Sequence, residues 1–100
     1  MDYKVDFAAQ TERDLFSITR FLAEKNPAAA ERLGNSLIDA ALSLRSLPRR
    51  GSALMGRPGV FKLIHPPYHL IFYRIHESQR LVEILRFWDG RQNPRDLTIP

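Results

Sequence analysis

Tyr3, Val5 and Phe7 alternate with Asp2, Lys4 and Asp6, and this period of two predicts a half-buried strand at the start of the chain. The period then lengthens. Leu15, Ile18 and Leu22 are spaced for one face of a helix from about Ala9 to Glu24, with Phe21 flanking them. Glu12, Arg13, Asp14 and Arg20 are expected to face water. Asn26-Pro27 ends this helix and opens another, because proline suits the first helical position and asparagine caps it. The second helix is predicted through Ala28-Ala29-Ala30 to about Ser46. Leu33, Leu37, Ala40, Ala41 and Leu44 form its apolar stripe, and Leu47-Pro48 stops it. So short a connection makes the pair an antiparallel hairpin.

From Arg49 to Pro58 the chain holds three arginines, two glycines and a proline, the composition of a basic loop. Strand patterns follow at Val60–Ile64, Tyr68–His76 and Leu81–Trp88. Pro66-Pro67 breaks the first from the second, and Glu77-Ser78-Gln79 turns the second into the third. Asp89-Gly90-Arg91-Gln92-Asn93-Pro94 ends the last strand and leads into a tail. The expected fold is α+β in the order β-α-α-β-β-β, a helical hairpin packed on an antiparallel sheet. One hundred residues without repeats or low-complexity tracts suit a single domain over 1–100.

Composition narrows the chemistry. With no cysteine there is neither a disulfide nor a thiolate metal site. The beginning of the chain lacks the pattern of a signal peptide, and no apolar run reaches the roughly 18 residues of a membrane span. A cytoplasmic protein with no membrane partner is expected. The net charge of +4 is uneven: residues 1–48 hold six Lys/Arg and seven Asp/Glu, whereas 49–100 hold nine and four. The second half is therefore basic and rich in arginine, whose planar fork suits carboxylate or phosphate.

Few residues offer catalysis. His65 and His69 straddle the Pro-Pro turn and His76 sits beside a polar turn, so no metal site is expected, and no cofactor motif occurs. His69, on a strand beside arginines, is the imidazole best placed to move a proton. Tyr68 and Tyr73 suit either base stacking or packing, with one in the core and the other at an edge. Arg86 lies among Val82, Ile84, Leu85 and Phe87, so its charge needs a carboxylate, solvent or a bound anion. Asp89 and Glu83 are the nearby candidates.

In this layout the chain resembles the ParE side of the RelE/ParE superfamily, toxins of type II toxin–antitoxin modules. The resemblance runs through Tyr3-Lys4-Val5-Asp6-Phe7 and the Glu12–Ile18 segment, then Asn26-Pro27-Ala28-Ala29-Ala30. It continues in Leu44-Arg45-Ser46-Leu47-Pro48-Arg49-Arg50-Gly51, similar to the family's Leu-x-x-x-Pro-x-x-Gly closure. Leu70–Ile75 carries the Tyr73-Arg74 pair of the family strand, and Val82–Arg91 matches the terminal strand with its basic exit.

This resemblance implies a toxin neutralised by an acidic, ParD-like antitoxin that wraps it. ParE-like members act on DNA gyrase; RelE-like members are ribosome-dependent mRNA endonucleases. For this chain it implies gyrase inhibition first and mRNA cleavage on the ribosome as the alternative. A third possibility is a remnant acting only as a co-repressor with its antitoxin. Asp89 stands where nuclease members often carry histidine, and Lys62 is the only lysine after Lys25. If the chain is a nuclease, His69, Tyr73 and Arg86 are the expected catalytic set; otherwise none is. Antitoxin contacts are expected in the apolar groove beside the helices and at Arg57, Arg74 and Arg86. Arg49, Arg50 and Arg91 lie in loops and are the expected target contacts.

Overall fold

The computed structural model describes residues 2–100. Its first strand, β1 (Lys4–Phe7), leads directly into α1 (Ala9–Lys25), and α2 (Pro27–Leu42) follows after a single residue. That residue is Asn26. Its side-chain oxygen accepts the Ala29 N–H at 3.0 Å, and Pro27 sits in the first turn of α2, where its missing N–H is no loss. A 3-10 turn, Ser43–Arg45, tightens the end of α2.

The other strands are β2 (Ser52–Ala53), β3 (Val60–His65), β4 (His69–His76) and β5 (Leu81–Asp89). They form one sheet in the order β1-β5-β4-β3-β2. The last three strands make the expected antiparallel meander. The sheet as a whole is mixed, which refines the antiparallel expectation. β1 runs parallel to β5, pairing Lys4–Phe7 with Leu81–Ile84. Such pairing needs a long crossover, here the helices and most of the sheet. The two-residue β2 had no apolar alternation to announce it.

The helices cover one face only. Leu37 and Ala41 of α2 and Leu44 of the 3-10 turn are fully buried against Leu63, Ile71, Tyr73, Val82, Ile84 and Phe87. The opposite face carries a smaller cluster of Val60, Phe72, Leu85 and Trp88, covered by Leu54, Leu70, Leu97 and Ile99. A register shift between Phe72 and Tyr73 separates these faces along β5: Phe72 pairs with Arg86, whereas Tyr73 pairs with Ile84. The extra residue, Leu85, breaks the alternation. Leu85 and Arg86 therefore both lie toward the second face.

Tyr73 explains the Pro-x-x-Gly closure physically. Its ring is buried under α2, and its hydroxyl donates to the Pro48 carbonyl at 2.7 Å and accepts the Gly51 N–H at 3.0 Å. A Cβ on Gly51 would lie 2.6 Å from the Lys62 carbonyl oxygen and 2.7 Å from the Tyr73 hydroxyl. The loop folds around one phenol, and only glycine lets it come this close. Burial, opposed by the bond from Gly51 and the charges of Arg50 and Arg49, raises the Tyr73 pKa above its usual value, so the hydroxyl stays protonated and can donate. Tyr73→Phe leaves a buried carbonyl and amide unmet and is expected to cost about 1–3 kcal/mol. Urea unfolding checks this; an unchanged midpoint would contradict it.

Candidate functional site

Arg86 finds its carboxylate on α1. Its Nε and Nη2 donate to Asp14 Oδ2 and Oδ1, each at 2.9 Å, and both residues are buried, 7% and 6% exposed. The expectation that Asp14 faces water is corrected: it lies within the helical stripe of Leu15 and Ile18 and points inward. β1 ends at Phe7, so the Phe87 N–H has no strand beside it, and Asp14 Oδ2 accepts that bond at 3.1 Å. Gln10 donates to Asp14 Oδ1 at 3.1 Å. The partners anticipated for Arg86, Asp89 and Glu83, are engaged elsewhere, with Arg91 and His76.

The third guanidinium nitrogen of Arg86, Nη1, donates to the Thr98 carbonyl at 2.6 Å. Residues 97–100 lie across the second sheet face, where Arg57 donates to the Ile99 carbonyl and Arg74 to the Pro100 carbonyl, each at 3.1 Å. Arg57, Arg74 and Arg86, the arginines expected to hold an antitoxin, thus converge on three successive carbonyls of the chain's own tail. Their states differ. Arg86 is buried and carboxylate-bound, so it is not displayed as the sequence reading supposed. Arg57 and Arg74 make their bonds to the tail at the exposed surface.

Arg49 and Arg50 stand at another end of the molecule, beside a shallow cleft of about 420 Å3 lined by Tyr3, Ser46, Leu47 and Pro48. Arg49 pairs with Glu77 at 2.8 Å and Arg50 donates to Ser43 Oγ at 2.6 Å. The Arg49–Glu77 pair is more than half exposed on both sides, so it holds Arg49 only weakly. Arg91 is away from this end. It is chelated by Asp89, at 3.0 and 2.7 Å, and lies over the Tyr68 ring. These bonds are the main cause that holds the Asp89 carboxyl below its ordinary pKa.

His69 faces a cleft of about 520 Å3 between α1 and the ends of β4 and β5, which also takes in Ile18, Phe21, Leu22, Tyr68 and Arg91. It is 3% exposed, and its Nδ1 has no hydrogen-bond partner. Burial lowers its pKa, opposed by Asp89 and reinforced by His65 and Arg91. His65 instead meets Ser36 through Nε2 at 2.7 Å. Among the described residues, no group of three or more His, Asp or Glu is placed to hold a metal. Nor is the nuclease set assembled. Tyr73 is sealed under α2 and Arg86 is bound to Asp14, so of the three only His69 is left without a committed side-chain partner beside a cleft.

The family model described as "ParE toxin of type II toxin-antitoxin system, parDE" matches residues 5–94, from β1 through the exit of β5. The chain belongs to the ParE toxin family. Solved structures agree on the fold. A chain of the P. aeruginosa chromosomal ParDE system superposes with a TM-score of 0.74 at 16% identity, covering 89% of this chain and 97% of that one. A chain of the RelBE2 toxin–antitoxin complex of Mycobacterium tuberculosis gives 0.65 at 26% identity, covering 91% and 100%. One from the E. coli RelBE complex gives 0.64 at 14%, covering 90% and 99%. No curated protein matches the sequence.

In this ParE-family chain, sequence reasoning missed Asp14 and the tail. Asp14 had a signal, its helical phase. The tail had another, the alternation of Leu97 and Ile99 around Thr98. A pH prediction follows for His69. Its folded pKa lies below the unfolded value of about 6.5, so the unfolded chain binds the proton more readily and stability falls as pH drops below that value. The effect is absent above it. His69→Gln is expected to lose less stability than the parent chain between pH 7.5 and 5.5 in urea titrations; parallel losses would contradict this. The Asp89 carboxyl, depressed from an already lower value, does not titrate in that window.

Proposed function

We propose that this ParE-family toxin acts by binding DNA gyrase and is neutralised by a cognate acidic antitoxin. One observation carries the choice of target: two of the three side chains that RNA cleavage would need are committed inside the fold, Tyr73 to the Pro48–Gly51 turn and Arg86 to Asp14. General acid–base cleavage needs its groups around one phosphate. Protein recognition has no such requirement. It asks for displayed cations, and Arg49 and Arg50 are held by weak surface contacts. The solved relatives from toxin–antitoxin complexes support an antitoxin partner. Arg57 and Arg74, with the apolar groove beside α1, are the proposed antitoxin contacts; Arg49 and Arg50 are the proposed target contacts, joined by Arg91 once released from Asp89.

Purified toxin is expected to inhibit gyrase supercoiling and to accumulate gyrase-dependent DNA breaks. Arg49→Ala combined with Arg50→Ala is expected to weaken inhibition at least tenfold while leaving antitoxin binding intact. The mRNA-cleavage reading keeps its place through the 26% identity to the RelBE2 chain. Ribosome-dependent cuts in primer extension, with supercoiling untouched, would replace the gyrase proposal with that one.

A further inference from the structure

Leu47 follows the 3-10 turn that ends the helical layer, and it is 63% exposed. A single exposed leucine signals nothing by itself. This one sits on a turn that is held from several sides. The Arg50 N–H donates to the Leu47 carbonyl at 3.1 Å and closes the turn. The Tyr73 hydroxyl clamps the Pro48 carbonyl and the Gly51 N–H from inside. Just before the turn, the Arg45 carbonyl accepts the Tyr3 N–H at 2.8 Å, which ties this stretch to the start of the sheet. The Arg49 guanidinium carbon lies 5.9 Å from the centre of the Phe61 ring, and that ring stacks on Tyr73 at 5.5 Å. Leucine and arginine thus project from a braced turn, beside the cleft of about 420 Å3 that Tyr3, Leu47 and Pro48 help to line.

We propose that Leu47, Arg49 and Arg50 form a preformed docking knob for the toxin's protein target, and that this target offers an apolar pocket rimmed by carboxylates. A braced turn gives up little conformational freedom on binding, so the burial of Leu47 does not have to offset the ordering of a loop. An apolar centre within a polar rim is the common anatomy of a protein interface. Two guanidinium groups beside it select a partner rich in carboxylates. Phosphate would also satisfy the arginines, but a nucleic-acid backbone gives Leu47 and the apolar cleft nothing to bury against. Glu77 is a resident competitor. Its Oε1 accepts from Arg49 at 2.8 Å and its Oε2 from the Tyr3 hydroxyl at 3.0 Å, both at the surface. A partner's carboxylate approaching Arg49 therefore meets a like charge, which keeps the free toxin below its full affinity.

This inference rests on the target reading above and adds to it the leucine and the competing carboxylate. Its test uses the full chain, with two readouts: growth arrest on induction, and inhibition of supercoiling by purified gyrase holoenzyme. Leu47→Ser is expected to weaken both at least tenfold, the order of effect from losing one buried leucine, with an unchanged urea midpoint. Leu47→Met is expected to keep both. Glu77→Gln is expected to strengthen inhibition about threefold at low salt, with the gain fading as ionic strength rises. A merely structural role for the turn gives no such gain. Should Leu47→Ser shift the urea midpoint, the Glu77→Gln comparison decides the matter alone.

Full potency of Leu47→Ser, or no gain in Glu77→Gln at low salt, overturns the proposal and leaves the gyrase reading standing. A parent chain that arrests growth without inhibiting gyrase, and loses the arrest in Leu47→Ser, overturns the gyrase reading and keeps the knob for another protein. A short DNA duplex bound by the parent chain through Arg49 and Arg50, with no gyrase present, would put nucleic acid in this place and overturn the proposal. A parent chain with neither effect overturns both.

Discussion

Arg86 lies in a strand covered on both faces, and its charge has to be met inside the fold. Asp14 meets it with both carboxylate oxygens, and the same carboxylate takes the Phe87 N–H that β1 is too short to reach. The pair therefore stands in for missing strand and fixes where α1 crosses the edge of β5. Through its last nitrogen, Arg86 also positions the tail. Removing one member of so buried a pair strands the other, a loss of about 3–5 kcal/mol, whereas replacing both with apolar groups of similar volume is often tolerated. The pair's main effect is to set one arrangement of helix, strand and tail.

That arrangement sorts the basic second half into cations with different work. Arg86 belongs to the interior. Arg57 and Arg74 lie at the second sheet face and donate to main-chain oxygens of the tail. Arg49, Arg50 and Arg91 sit in exposed loops with weak or local partners. Net charge alone cannot separate these groups, because the distinction lies in what each guanidinium can reach after folding.

Much of the architecture was legible from spacing. The stripe Leu33, Leu37, Ala41 and Leu44 marked the buried face of α2 and the 3-10 turn that ends it, Asn26-Pro27 marked the hairpin turn, and the meander followed from its short links. The site was harder to read. Asp14 looked like one more charge on a solvated helix, although its position beside Leu15 and four before Ile18 placed it inward. Leu85 concealed the register, since a bulge puts two neighbouring residues on one face, where strict alternation would divide them. The bond between Tyr73 and the Pro48–Gly51 turn is long-range, and only the folded chain brings those two motifs together.

The account depends on Arg86 being a structural cation and not a reacting one. A double-mutant cycle with Asp14→Leu and Arg86→Met, read by urea unfolding and by toxicity in growing cells, addresses this most directly. Each single change is expected to destabilise the chain severely, and the double variant to recover much of that loss and remain toxic. Additive losses, or a folded double variant that no longer inhibits growth, would contradict it.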